Sequence, residues 1–159
     1  MIHYKDWTVI QLKHLAIAPL LVEEPPLERG KFGYDRHGRM ENLSEEGQVP
    51  NSLARYNHPK YKELYKGVQS KIETILGEKL YPTYYFDRFY FRGQELKRHH
   101  DRPACEISVS MNISTNSNTP WPIYFELPNG DVKELYTNHG DGVLYKGMEV
   151  DHWRNPLKG

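Results

Sequence analysis

The protein has 159 residues, and its 21 Lys and Arg balance its 21 Asp and Glu, so its formal net charge is zero. With 38% hydrophobic and 26% charged residues, it has the length and composition of one soluble globular domain. The balanced charge argues against a basic nucleic-acid-binding module. No stretch reaches the roughly 18 apolar residues of a membrane helix, and Cys105 is the single cysteine, so we expect a cytoplasmic protein without a membrane partner.

The amino-terminal half contains one clear helix. Residues 7–22 carry a mixed apolar pattern that fits a strand followed by a loop or a short helix, and the pattern does not choose between these two. Residues 23–52 are rich in Glu, Pro, Gly, Arg and Asn, which predicts a long irregular loop, either a lid over a site or a solvated insertion. Residues 58–76 repeat apolar side chains at spacings of three and four between Pro59 and Gly77, which predicts a helix.

The carboxyl-terminal half has the pattern of short strands. Residues 81–92 are rich in aromatic and β-branched side chains and are closed by Gly93, which predicts a strand. Further strands are predicted at residues 106–113, 122–127, 132–136 and 142–145. Several short strands after one helix predict a single mainly β domain over residues 1–159, a sandwich or barrel with a supporting helix.

Two histidines and an aspartate are candidates for a metal site. Side chains two positions apart in an extended segment share a face, so His99 and Asp101 can reach one metal while His100 points away. His152 follows 51 residues after Asp101 and would complete the set of two histidines and one carboxylate that suits non-haem Fe(II). Each member also has an ordinary explanation, a chance His-x-Asp or a polar residue at a strand end, and His139 is an alternative third ligand.

The strand after Asp101 has one polar face. From residue 106 to residue 113 polar and apolar side chains alternate, so one face packs on a core. The polar face is either solvated or lines a polar cavity, where Ser108 and Ser110 would donate hydrogen bonds to a bound acid.

Two stretches carry a resemblance to a known family. Residues 90–101, Tyr-Phe-Arg-Gly-Gln-Glu-Leu-Lys-Arg-His-His-Asp, resemble the Tyr-x-x-Gly-Gln-x-x-x-x-His-x-Asp stretch of 2-oxoglutarate and Fe(II)-dependent dioxygenases, in their prolyl 4-hydroxylase branch. Residues 140–145, Gly-Asp-Gly-Val-Leu-Tyr, followed by His152, resemble the Gly-Asp-aliphatic strand that leads to the distal histidine of that family. Together the two stretches lie between Tyr84 and Arg154, nearly half of the chain.

The resemblance implies a fold, a reaction and a set of site residues. The fold would be a double-stranded β-helix, the cupin-like jelly roll. His99, Asp101 and His152 would hold Fe(II) as the catalytic centre, with 2-oxoglutarate and O2 as cosubstrates and ascorbate as an auxiliary reductant. Tyr90 matches the tyrosine that hydrogen-bonds 2-oxoglutarate, and Ser110 is a weaker candidate for that contact. The enzyme would couple 2-oxoglutarate decarboxylation to hydroxylation of a peptidyl-proline, amino-acid or small-molecule substrate.

The chain departs from the family at one position. The family binds the distal carboxylate of 2-oxoglutarate with a Lys or Arg about ten residues after the distal histidine, whereas Gly159 lies only seven residues after His152. We therefore expect either that a final strand is missing from this sequence or that another cation substitutes. Arg154 is the first candidate because it shares strand parity with His152, although an ordinary surface ion pair explains it equally well. The remaining candidates are Lys146, Arg88 and Arg92.

Two other functions remain open at this point. A jelly-roll domain could keep the metal ligands and bind a metal or a ligand without oxidation, which the missing distal cation favours. A metal-free interaction module would instead use the tyrosine-rich surface, since the chain has 12 Tyr.

Overall fold

The computed structural model describes residues 7–16 and 28–159, in which the chain forms one α-helix and eleven short strands. The helix is α1 (Lys62–Leu76). The strands are β1 (Val9–Leu12), β2 (Gly30–Tyr34), β3 (Met40–Ser44), β4 (Leu53–Tyr56), β5 (Phe86–Phe89), β6 (Leu96–His99), β7 (Ser108–Met111), β8 (Ile123–Glu126), β9 (Val132–Leu135), β10 (Gly142–Tyr145) and β11 (Asp151–Arg154). The prediction of a mainly β protein with a supporting helix is therefore confirmed.

The strands form three sheets, and none of the three closes into a barrel. Their orders are β1-β10-β7, β6-β11-β8-β9 and β3-β2-β4-β5. All neighbours are antiparallel except β2 and β4, which are parallel. Since β6 and β11 are neighbours, the second sheet brings together the two halves of the candidate metal site.

Strand β10 lies between two apolar clusters. Leu144 packs in a cluster with Ile72 and Leu76 of α1, whereas Val143 packs in a cluster with Phe125 of β8. Successive side chains of a strand point to opposite faces, so β10 separates the helix from the second sheet. The helix α1 thus supports the sheet that contains β10, on the face opposite the candidate site.

The helix has clear start and stop signals. A 3-10 turn at Pro59–Tyr61 precedes it, and the His58 ring accepts a hydrogen bond from the Lys60 backbone N–H at 3.2 Å. Gly77 ends the helix with φ 68°, a left-handed conformation that glycine adopts without a side-chain penalty, and its N–H donates to Glu73 O at 2.8 Å. The predicted helix over residues 58–76 is confirmed, with its first turn in 3-10 form.

The strand predictions are confirmed in part. Strands β7, β8, β9 and β10 lie inside the four predicted ranges. The range 81–92 contains only the four residues of β5, and the rest is irregular. Pro82 lacks a backbone N–H, and Gly93 adopts φ 86°, so neither end of that range can continue a ladder.

The prediction of an irregular loop over residues 23–52 is wrong for part of that range. Strands β2 and β3 form an antiparallel hairpin there. Asp35 Oδ1 accepts hydrogen bonds from the N–H groups of His37 and Arg39, and Gly38 adopts φ 77°. The turn-forming residues thus close a hairpin. Residues 23–27, and residues 17–22 of the first segment, lie outside the described residues.

None of the helices in the described residues has both the length and the apolar character needed to cross a membrane.

Candidate metal centre

Three candidate ligands meet where β6 ends against β11. His99 and His152 are cross-strand partners, and Asp101 follows β6 by two residues. Asp101 Oδ1 lies 3.2 Å from His152 Nε2 and 3.5 Å from His99 Nε2, and the ligand atoms of all three residues lie within 4.8 Å of one another. Within residues 7–16 and 28–159, this is the only cluster of three or more such side chains that could hold a metal.

A backbone carbonyl two residues upstream orients each imidazole. His99 Nδ1 lies 2.7 Å from Lys97 O, and His152 Nδ1 lies 3.1 Å from Val150 O. A carbonyl oxygen only accepts, so Nδ1 carries the proton in each ring and Nε2 presents a lone pair. Two lone pairs and a carboxylate oxygen therefore converge on one point, an arrangement that a cation stabilises.

The His152 ring is also fixed by packing. His152 is 2% exposed, and its ring centroid lies 4.8 Å from that of Tyr145 and 5.8 Å from that of Phe125. Aromatic neighbours on two sides leave the ring few alternative orientations.

Asp101 is held by its backbone and by a serine. Its N–H donates to Gly147 O at 2.7 Å, and its Oδ2 accepts from Ser108 Oγ at 3.2 Å. A Cβ on Gly147 would overlap Asp101 Oδ2, so a larger residue there would displace the carboxylate. These contacts fix the Asp101 carboxylate so that its Oδ1 faces both Nε2 atoms, where it can bind a cation.

These donors fit a divalent iron ion. Ligands on one face of an octahedron with bonds of about 2.1 Å lie roughly 3 Å apart, close to the two nitrogen-to-oxygen separations around Asp101. Two imidazoles and one carboxylate form the facial set of non-haem Fe(II) sites, which leaves the opposite face open to other ligands.

A second group of candidate residues lines the cleft beside this centre. The Tyr90 ring packs edge-on against Trp121 at 4.8 Å, and the Arg154 guanidinium lies over the Trp121 ring at 4.9 Å. Arg154 Nη1 donates to Trp121 O at 3.2 Å. Burial lowers the pKa of Arg154, and no carboxylate of the described residues forms a salt bridge with it. Arg154 is thus a partly buried cation without an anionic partner there.

The other candidate cations differ from Arg154. Arg88 forms a buried ion pair with Glu46 at 3.2 Å. Lys146 lies 5.0 Å from the ring centroid of Trp7 and does not line the cleft, whereas Arg92 is exposed on the cleft wall. Among the four candidates, Arg154 therefore best fits the role of a cation that is available to a bound carboxylate.

The remaining predicted residues lie as follows. Ser110 lines the cleft but makes no side-chain hydrogen bond with the described residues, while its neighbour Ser108 contacts the centre. His139 is exposed and accepts a hydrogen bond from the Thr115 N–H at 3.3 Å, outside the cluster. His100 is exposed, with Nδ1 3.7 Å from Asp151 Oδ1.

Sequence reasoning missed three residues of the centre. Gln48 Nε2 lies 3.1 Å from His99 Nε2, and Glu46 holds Arg88 beside it. Both belong to the range expected to be irregular, and they lie over 40 residues from their partners, so no local pattern marks them. Gly147 is the third, and its position within five residues of His152 is a weak signal for close backbone packing.

Comparison with known proteins gives a likeness to solved structures. No family model matches the chain, and no curated protein sequence matches it significantly. The crystal structure of a Pseudomonas putida prolyl-4-hydroxylase aligns with a TM-score of 0.55 at 16% identity, covering 70% of this chain and 67% of that chain. The fold is prolyl-4-hydroxylase-like. At this identity the likeness concerns the fold alone.

Proposed function

We propose that the protein is a non-haem Fe(II) and 2-oxoglutarate-dependent oxygenase, a hydroxylase of prolyl 4-hydroxylase type. The observation that carries the proposal is the convergence of His99 Nε2, His152 Nε2 and Asp101 Oδ1, with both Nδ1 atoms occupied by carbonyls. The enzymatic activity of the structural neighbour agrees with it.

The proposed fold is a double-stranded β-helix, or jelly roll. Two lines support it: the layered packing of β10 against the second sheet, and the likeness to the prolyl-4-hydroxylase structure. The candidate ligands His99 and His152 lie on paired strands of one of the protein's sheets.

The proposed roles follow from charge and geometry. His99, Asp101 and His152 hold the iron. Iron in this ligand set supplies the redox chemistry that activates O2 and couples 2-oxoglutarate decarboxylation to substrate hydroxylation. The Tyr90 hydroxyl and the Arg154 guanidinium bind 2-oxoglutarate, because a carboxylate in a partly buried site needs a donor and a fixed cation. Ser110, on the same cleft wall, is a weaker candidate donor.

A peptide is the substrate class that we propose to test first, because of the size and the aromatic lining of the cleft. The cleft measures about 2560 Å³, larger than the roughly 300–1,000 Å³ of pockets for small molecules. Tyr56, Phe86 and Tyr84 line it as a cluster with centroid separations of 5.0, 6.1 and 6.3 Å. Aromatic grooves of this kind accommodate proline-containing segments, so peptidyl-proline is the first substrate to test, ahead of free amino acids and small molecules.

The test is a spectrum under nitrogen. Fe(II) and 2-oxoglutarate together should give a visible charge-transfer band in the wild-type protein, and this band should be lost in His99→Ala and in Asp101→Ala. His139→Ala is the matched control and should retain the band. Absence of the band in folded wild-type protein would overturn the proposal. A band without any formation of succinate would favour the non-catalytic metal-binding domain.

A further inference from the structure

A buried arginine links the candidate metal centre to the segment after β3. Arg88 lies on β5, and its side chain is 5% exposed. Its Nη2 donates to Gln48 Oε1 at 2.8 Å and to Glu46 Oε2 at 3.2 Å. Its Nη1 donates to Tyr90 Oη at 3.2 Å. The Arg88 guanidinium therefore contacts both Gln48, which lies against His99, and Tyr90, the proposed cosubstrate tyrosine.

The chemistry of arginine fixes the polarity of both contacts. A guanidinium only donates hydrogen bonds, so the oxygen atoms of Gln48 and Tyr90 must accept from Arg88. This orients the Gln48 amide without ambiguity, with its NH2 group directed away from Arg88. It likewise leaves the Tyr90 hydroxyl hydrogen free to point elsewhere. Both residues are thereby left as donors.

Glu46 holds this arrangement in place. The Glu46 carboxylate is 4% exposed, and its Oε1 accepts from the Gln48 backbone N–H at 3.0 Å while its Oε2 accepts from Arg88. The ion pair balances the charge of the buried arginine and fixes the backbone that carries Gln48. The Gln48 amide can then approach His99 Nε2 to 3.1 Å.

The position of the Gln48 amide has a chemical consequence. Since His99 Nδ1 is the protonated nitrogen, the Gln48 NH2 donates to the lone pair on Nε2. A metal takes that same lone pair, so a bound metal leaves the amide facing whatever oxygen ligand lies beside His99. An anionic oxygen is the strongest acceptor for such a donor.

We propose that Arg88 is a positioning residue that presents Gln48 and Tyr90 as two hydrogen-bond donors to the anionic cosubstrate beside His99. This inference rests on the proposed function. Gln48 contacts the cosubstrate directly, whereas Arg88 acts through its two neighbours. Loss of the Gln48 amide therefore weakens cosubstrate binding. It does not weaken metal binding, because without a metal the same amide occupies the His99 lone pair and competes with the metal.

The first test uses Gln48→Leu, an exposed position whose substitution leaves the core intact. Calorimetry with Mn(II), which gives no turnover, measures Mn(II) affinity and then 2-oxoglutarate affinity of the Mn(II)-loaded protein. We expect 2-oxoglutarate to bind about tenfold more weakly and Mn(II) at least as tightly as in the wild type. Gln69→Leu is the matched control. Gln69 lies on α1 and donates a hydrogen bond to Leu80 O, and its loss should change neither affinity.

The second test addresses Arg88 itself. The double variant Arg88→Met with Glu46→Gln removes the guanidinium without leaving a buried carboxylate unpaired. It should weaken 2-oxoglutarate binding by more than Gln48→Leu does, and Arg88→Lys should recover part of the loss. Circular dichroism establishes that each variant is folded.

Two results would overturn the inference in different ways. If the wild type binds Mn(II) and 2-oxoglutarate but Gln48→Leu binds both equally well, the positioning role is wrong and the proposed function survives. If the folded wild type binds no Mn(II), the proposed function fails and the inference fails with it.

Discussion

Two arginines lie near Tyr90 on opposite sides of the cleft, and they differ in whether a carboxylate neutralises them. On one side Arg88 is buried against Glu46. On the other side Arg154 is partly buried over Trp121, and no carboxylate of the described residues pairs with it. Burial would lower the pKa of Arg88, but Tyr90 and Glu46 outweigh it and raise that pKa, whereas burial lowers the pKa of Arg154. The two guanidinium groups lie in contrasting electrostatic environments.

This difference separates a structural charge from a binding charge. An arginine neutralised by a buried carboxylate orients its neighbours and stabilises the fold as long as both partners remain. An arginine without such a partner is less favourable for the fold but retains its charge for a ligand. We therefore expect loss of Arg88 to lower stability strongly and to weaken cosubstrate binding only through Gln48 and Tyr90. Loss of Arg154 should weaken cosubstrate binding directly, without a loss of stability.

Removal of Arg88 alone should give the largest loss of stability. Arg88→Met leaves the Glu46 carboxylate buried without its cation, and breaking a buried pair in this way costs about 3–5 kcal/mol. Urea denaturation monitored by circular dichroism measures the loss. The double variant with Glu46→Gln should recover most of it, and equal stabilities of the single and double variants would contradict the account.

Removal of Arg154 should act on the ligand. Arg154→Met removes a charged hydrogen-bond donor worth about 1.5–3 kcal/mol, which weakens 2-oxoglutarate binding roughly tenfold to a hundredfold. The free energy of unfolding should stay the same or rise, because no carboxylate loses a partner. Calorimetry and urea denaturation measure the two quantities. Arg92→Met, at an exposed position of the same cleft, is the matched control, and an equal effect there would remove the distinction between the two sides.

Substitution of Gly147, which packs against the candidate ligand Asp101, should weaken metal binding and leave both arginines in place. In Gly147→Ala the new methyl group overlaps both Asp101 Oδ2 and the backbone oxygen of Cys105, so the carboxylate must move, and circular dichroism checks that the variant is folded. We expect Mn(II) affinity to fall about tenfold, as is typical when groups supporting a ligand are altered. Gly67→Ala on α1 is the control, because a Cβ there meets no atom within 4 Å and alanine favours helix. Unchanged Mn(II) affinity in Gly147→Ala would count against this placement of Asp101.

The smallest expected effect concerns Asp141, whose carboxylate accepts hydrogen bonds from backbone groups, and it should depend on pH. Asp141 accepts hydrogen bonds from the N–H groups of His14 at 2.9 Å and Asn138 at 3.1 Å, and these hold its pKa below its ordinary value. Because the folded-state pKa is depressed, the stabilisation is present above the unfolded pKa of about 3.9 and is lost as pH falls through the folded pKa.

Asp141→Asn should therefore lower the melting temperature at pH 7, and the difference from the wild type should shrink as the pH falls from about 5 to 2. Asp131→Asn, an exposed turn aspartate, is the control. A difference that stays constant over this pH range would show that the Asp141 charge contributes nothing.

The sequence predicts the elements that local pattern determines. Apolar spacing and Gly77 define α1, and alternation in residues 106–113 defines β7. His99, Asp101 and His152 could be proposed because the first two lie two positions apart and the third follows a stretch that resembles a known family. What brings the three together is the pairing of β6 with β11, which the structure alone reveals.

The rest depends on contacts between distant parts of the chain. Glu46 and Gln48 lie 42 and 40 residues from Arg88, and their segment has the composition of a loop. No periodicity links the exposed Gln48 to the candidate metal ligand His99. Ser108 and Ser110 share one strand face, so parity alone does not separate them. Only the structure shows that Ser108 Oγ donates to Asp101 Oδ2 at 3.2 Å.

The most direct test of the central claim measures O2 uptake and succinate formation together. The purified protein with Fe(II) and 2-oxoglutarate, offered a proline-containing peptide, should consume O2 and form succinate in equal amounts, and Asp101→Ala should do neither. A folded wild-type protein that binds Fe(II) and 2-oxoglutarate yet forms no succinate, with any peptide, amino acid or small molecule offered, would contradict the account.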